Sequence, residues 1–148
     1  MHILITGGFD PLHSGHIRLF KEASKIGNLV VGLNSDKYII RKKGAVLLPL
    51  EERVSIISSV SYVFSVIYDF NDDDNSSCDA ITTFIAKYGN SKKPLIFANG
   101  GDRTADQANK KEVDLCNSLG IFQLYGVGGT KSTSSSKLLS NYVESLKN

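Results

Sequence analysis

Two histidines stand three residues apart in the stretch Thr6-Gly7-Gly8-Phe9-Asp10-Pro11-Leu12-His13-Ser14-Gly15-His16. On a helix that spacing is about one turn, so both rings can lie on one side of its N-terminus. Gly7 and Gly8 come first, and their missing Cβ atoms let backbone amides approach a phosphate. Pro11 stiffens the loop, and Ser14 is the expected N-cap of the helix that follows. The free N–H groups and positive dipole end of such a helix attract anions. Two imidazoles beside backbone donors suit the charge that builds on a phosphate during displacement. Two other readings compete: an ordinary strand-to-helix turn with surface histidines, and a zinc site. For zinc, no cysteine lies near in sequence, and only His2 remains as a third imidazole.

Further groups of related chemistry lie downstream. Arg41-Lys42-Lys43-Gly44 reads either as a solvated loop or as the source of a lysine that reaches the α-phosphate and holds departing pyrophosphate. Asn99-Gly100-Gly101-Asp102 permits close backbone approach, and Asp102 could bond ribose hydroxyls or orient a base; a tight turn is the plain alternative. Ser134-Ser135-Ser136-Lys137 opens a helical pattern, where hydroxyls and amide donors would face phosphates. Gly126 to Ser132 imitates a P-loop, but Tyr125 falls where the first glycine belongs and Thr130 replaces the glycine before Lys131. Asp69 to Asp74 imitates a calcium loop, but Asp74 stands at the turn glycine and Ala80 at the glutamate. A solvated acidic loop is expected there, with a part in acceptor binding left open.

These groups need a frame, and the apolar pattern supplies one. His2 to Thr6, Leu29 to Asn34, Val63 to Tyr68, Leu95 to Ala98 and Ile121 to Tyr125 read as buried strands. Helical spacing joins Leu19, Ala23 and Ile26; Leu50, Val54, Ile57 and Val60; Ile81, Phe84, Ile85 and Tyr88; and Leu138, Leu139, Tyr142, Val143 and Leu146. The alternation predicts an α/β domain over residues 1–148: a Rossmann-like, doubly wound, five-stranded parallel sheet with its ligand at one sheet edge. Seventeen basic residues against fifteen acidic make no case for nucleic acid or membrane as partner. The opening residues lack a basic flank and a cleavage site, so a cytoplasmic location is expected. Cys78 and Cys116 have no metal-ligand spacing and read as ordinary thiols.

The first stretch resembles the GxFDxxHxGH signature of the cytidylyltransferase-like nucleotidyltransferases, with a glycine, Phe9, Asp10, His13, Gly15 and His16 in place. The resemblance implies transfer of a nucleoside monophosphate from an NTP to a small phosphorylated acceptor, a sugar phosphate or a polyol phosphate such as glycerol 3-phosphate. His13 and His16 would contact the triphosphate and stabilise the transition state, with no covalent enzyme intermediate. Thr6, Gly7, Gly8, Phe9, Arg53, Asn99, Gly100, Gly101, Asp102, Ser134, Ser135 and Ser136 would border the nucleotide.

A catalytic lysine is implied as well. The order Asn34-Ser35-Asp36, Arg41 to Gly44 and Pro49 to Arg53 resembles the adenylyltransferase domains of bacterial heptose-phosphate enzymes, whose register favours Lys43. The register of the glycerol-phosphate cytidylyltransferases favours Lys42 instead. Gly129 stands where those cytidylyltransferases carry an arginine, which tilts the choice between ATP and CTP toward ATP. Mg²⁺ is expected with the NTP, and the NTP and acceptor are the expected partners, with a homodimer left open. A nucleotide-sensing module without turnover is the alternative on the same fold. A nicotinamide oxidoreductase is not supported, because no GxGxxG follows the first strand.

Overall fold

A strand that is apolar on both sides has to be covered on both faces, and the five apolar runs become such strands. In the computed structural model, which describes residues 1–90, 93–100, 105–129 and 134–147, they are β1 (His2–Gly7), β2 (Asn28–Leu33), β3 (Val63–Ile67), β4 (Leu95–Gly100) and β5 (Phe122–Val127). All pairings are parallel and the order is β3-β2-β1-β4-β5. Alternation along β1 sends Ile3 and Ile5 to one face and Leu4 to the other. The first face packs on Phe20 and Ala23 of α1 (Ser14–Ser24) and Ile57 of α3 (Leu50–Ser58). The second packs on Ile81 and Phe84 of α4 (Cys78–Tyr88) and Cys116 of α5 (Lys110–Leu119). The expected doubly wound sheet is present.

The chain leaves β1 toward β2 and β3, then crosses back to place β4 on the other side of β1. The loops after β1 and β4 therefore diverge, and the crevice between them is the usual ligand position in such sheets. α6 (Ser135–Ser145) follows β5 and starts at the same edge.

Two helices escape the periodicity. α2 (Asp36–Lys43) buries only Ile39, so it shows no apolar stripe, and α5 buries only Glu112 and Cys116. Caps define α2 instead: Ser35 Oγ accepts from Tyr38 N at 3.1 Å, and Gly44 ends the helix at a φ of 90°. The basic triplet Arg41-Lys42-Lys43 is thus the last helical turn rather than a loop, where cations favour the helix dipole.

The acidic stretch also departs from expectation. Asp73 and Asp74 are exposed, but Asp72 is buried, accepting from Ser35 N at 2.8 Å and Ser35 Oγ at 2.7 Å. Arg41 closes the other side, donating to the Asp72 carbonyl at 2.7 Å and to Asn75 Oδ1. The loop after β3 therefore grips both ends of α2. Cys78 and Cys116 are free, and burial pushes the Cys116 thiol up to about 11, so it stays protonated and inert. Among the described residues, no helix is long and apolar enough to cross a membrane.

Asp72→Ala should lower stability by about 2–3 kcal/mol, the scale of charge-assisted bonds left unmade. Asp73→Ala, which removes an exposed carboxylate 3.9 Å from Arg41, should cost less than about 0.5 kcal/mol. Urea unfolding of both variants checks the contrast.

Candidate active site at the end of the first strand

The chain leaves β1 through Gly7 and Gly8, and Phe9 turns it with a φ of 52°. The Phe9 ring is buried, edge-on to Phe20 at 5.2 Å and to His16 at 4.8 Å. It was expected beside the nucleotide; in the structure its side chain props His16 from within the core.

His13, not Ser14, caps α1. Its Nδ1 accepts from Gly15 N at 3.1 Å, and His16 Nδ1 accepts in return from His13 N at 3.2 Å. A Cβ on Gly15 would sit 2.9 Å from His13 Cε1, so only glycine lets the ring fold over its amide. Backbone N–H groups can only donate, so both Nδ1 atoms are acceptors, and a neutral ring carries its proton on Nε2. The rings stack at 3.7 Å with 25° between planes. The sequence thus becomes a matched pair of Nε2–H donors at a helix N-terminus, suited to phosphate oxygens. His2 lies at the opposite end of β1, stacked on Tyr88, so it cannot complete a zinc site with this pair. Among the described residues, no group of three or more His, Cys, Asp or Glu side chains is placed to hold a metal.

Arg53 departs most from its expected role. Its side chain has 0% exposure, and its donors meet protein groups: Leu48 O at 2.9 Å, Gly8 O at 3.1 Å, Asn34 O at 2.7 Å and Asp36 Oδ1 at 2.6 Å. It ties the glycine loop to the ends of β2 and α2 instead of facing a ligand. Asp10 acts beside it, 1% exposed, accepting from Leu47 N at 2.7 Å and Leu48 N at 2.6 Å. Asp10, matched above only as part of the signature, and Asp72 are anchoring positions whose partners the residue pattern did not show. A carboxylate one step before a loop proline was the available signal for Asp10; nothing local marks Asp72.

Lys42 and Lys43 are both exposed at the end of α2. Lys42 Nζ lies over the Tyr38 ring at 5.7 Å, whereas Lys43 forms no ion pair among the described residues. A groove of about 530 Å³, lined by Ser35, Asp36, Lys37, Leu50, Tyr68 and Phe70 among others, opens beside the start of α2.

The remaining expected contacts divide. Thr6 turns to the second face of the sheet, its hydroxyl 2.7 Å from Ser77 Oγ, away from the histidines' loop. Asn99 is half-buried near the end of β4. Gly100 leaves room for Leu19 of α1, whose Cδ1 would lie 2.9 Å from an added Cβ. Gly101 and Asp102 lie outside the described residues. Ser134 caps α6 by accepting from Lys137 N at 3.1 Å, Ser135 Oγ donates to Pro11 O at 2.7 Å, and Ser136 is exposed. The Ser135 bond seats the α6 N-terminus against the loop that carries His13.

The family described as cytidylyltransferase-like matches residues 4–137. Ethanolamine-phosphate cytidylyltransferase of Arabidopsis thaliana is 39% identical over 70 residues, covering 47% of this chain and 17% of that protein. The bifunctional protein HldE of Geotalea uraniireducens is 35% identical over 115 residues, covering 75% of this chain and 21% of that protein. FAD synthase of Archaeoglobus profundus is 30% identical over 112 residues, 76% of this chain and 65% of that protein. The chain therefore spans only a small part of the first two relatives. A solved lipopolysaccharide core biosynthesis protein from Thermoplasma volcanium superposes with a TM-score of 0.62 at 25% identity, over 90% of this chain and 98% of that one. The matched region takes in both histidines, the lysine pair and the opening of α6, and on that breadth the chain belongs to the cytidylyltransferase-like family.

Proposed function

We propose that the chain transfers a nucleoside monophosphate from ATP or CTP to a small phosphorylated acceptor, with release of pyrophosphate. The stacked His13 and His16 pair at the mouth of α1 carries this reading, because it aims two fixed donors beside a glycine loop at the sheet's switch point. An acceptor phosphate oxygen attacks the α-phosphorus, a new P–O bond forms in line, and the bond to pyrophosphate breaks. The Nε2–H groups stabilise charge on the phosphate oxygens during this step. A lysine at the end of α2 neutralises the departing group as a mobile point charge. Mg²⁺ enters with the triphosphate, whose charge it neutralises. Asp10, the carboxylate nearest the histidines in sequence, has both oxygens on backbone amides and is not arranged to hold it.

Pyrophosphate release, assayed with four NTPs against a panel of acceptor phosphates, tests the reaction and both substrates together. No release with any pair, alongside tight nucleotide binding, would favour a sensing module instead.

His16→Ala should lower kcat by more than about a hundredfold, the scale of losing one aimed transition-state donor, while nucleotide affinity falls far less. Equal losses in both would make His16 a ground-state contact. Lys43→Ala should harm turnover more than Lys42→Ala, because the Tyr38 ring engages Lys42; the two variants compared at saturating NTP decide it. With one productive acceptor, ATP should be preferred over CTP by at least about tenfold in kcat/KM, since a base-reading site leaves groups unpaired with the wrong base. A preference for CTP overturns the nucleotide choice and leaves the reaction class in place.

A further inference from the structure

We propose that Asp10 is a positioning residue for the reaction: its carboxylate fixes the segment after Lys42 and Lys43 against the phosphate loop and so sets where those ammonium groups reach. The proposal rests on the nucleotidyltransferase reading above. At 1% exposure, Asp10 places Oδ2 at 2.7 Å from Leu47 N and Oδ1 at 2.6 Å from Leu48 N. Leu48 is held through its other backbone group as well, since its carbonyl accepts from Arg53 Nε at 2.9 Å. The same guanidinium donates to Gly8 O at 3.1 Å, two residues before Asp10. The 47–48 backbone is therefore stitched to the 8–10 backbone from two sides.

The lysines sit just upstream of this stitch. α2 ends at Lys43, and Gly44 N closes onto Ile40 O at 2.8 Å. Three residues separate Lys43 from Leu47, so the C-terminal end of α2 is tethered on a short lead. The other end of α2 is fixed independently, through the Asp72 bonds to Ser35 and the Arg53 bond to Asp36. Among the bonds of the described residues, Asp10 is the side chain of the histidines' own loop that reaches the segment after the lysines.

The geometry calls for a carboxylate. Two adjacent N–H donors need two acceptors, and an asparagine would turn its NH₂ group toward one of them. Releasing that amide lets the segment shift, and an ångström of misplacement at a reacting centre costs up to about a hundredfold.

The test combines rates with a readout that does not depend on turnover. Asp10→Asn should lower kcat by about 10- to 100-fold while KM for the NTP changes by less than about threefold. Introduced into the Lys42→Ala/Lys43→Ala protein, the same change should lower the residual rate by less than about threefold, because the groups it positions are gone. Amide hydrogen exchange should show Leu47 and Leu48 protected in the wild type and released in Asp10→Asn, with β1 and α1 still protected. If Asp10→Asn does not fold, Asp10→Glu, whose longer arm keeps two acceptors but displaces the 47–48 segment, should lower kcat within the same range while the Leu47 and Leu48 amides stay protected. Full multiplicative loss in the triple variant, an unchanged kcat, or unprotected Leu47 and Leu48 amides in the wild type would overturn the proposal. A wild type that keeps those amides protected but releases no pyrophosphate with any NTP and acceptor overturns the transferase reading, and the assigned role with it.

Discussion

A guanidinium without solvent contact has to find its partners within the chain, and Arg53 finds them in four different places. It meets the glycine loop after β1, the end of β2, the first residue of α2 and the turn before α3. Its ionic partner Asp36 is 39% exposed, so losing the guanidinium would cost chiefly through the main-chain carbonyls left without a donor. The geometry of the phosphate loop is therefore enforced from below by a group whose hydrogen bonds run to the protein itself. Every other positioning device elaborates this one: Asp10 extends it to the 47–48 turn, and Asp72 extends it around α2.

The histidines need a different kind of order. A positioned imidazole is useful only if its tautomer and its plane are both set. Here the helix itself does this, since each Nδ1 receives a main-chain N–H and the two rings stack. The core reaches the same point from beneath, through the edge of Phe9 against His16. A strand-to-helix turn is thus converted into a rigid donor pair.

What could be read in the sequence follows the range of the interactions. The strands, α1, α3, α4, α6 and the histidine loop were legible because apolar period, caps and glycines act within one turn or one strand. α2 was missed because it buries a single residue and is specified by Ser35 and Gly44 rather than by a stripe. The roles of Arg53, Asp10 and Asp72 were hidden for another reason. Their bonds cross 45, 37 and 37 residues of sequence, to Gly8, Leu47 and Ser35, and no local spacing records such a pairing. Arg53 was accordingly placed at the nucleotide, and Asp72 was assigned to a solvated loop. Gly100 shows the same limit: a missing Cβ signals close approach without naming the neighbour, and here one neighbour is Leu19.

That last contact has a wider meaning. Leu19 of α1 fits between the ends of β4 and β5, where an added Cβ on Gly100 would lie 2.9 Å from its side chain and one on Gly128 would lie 3.0 Å from its backbone. Leu19 is three residues beyond His16 on the same helix, about one turn, so these remote glycines define the berth in which the histidines' helix sits. In a saturation mutagenesis screen read by activity alone, Gly128, which faces the Leu19 backbone at a φ of 81°, would score like a substrate contact. The Leu19 side-chain end that faces Gly100, by contrast, can give way. A parallel screen for folded protein would sort Gly128 as a fixed point of a helix mount.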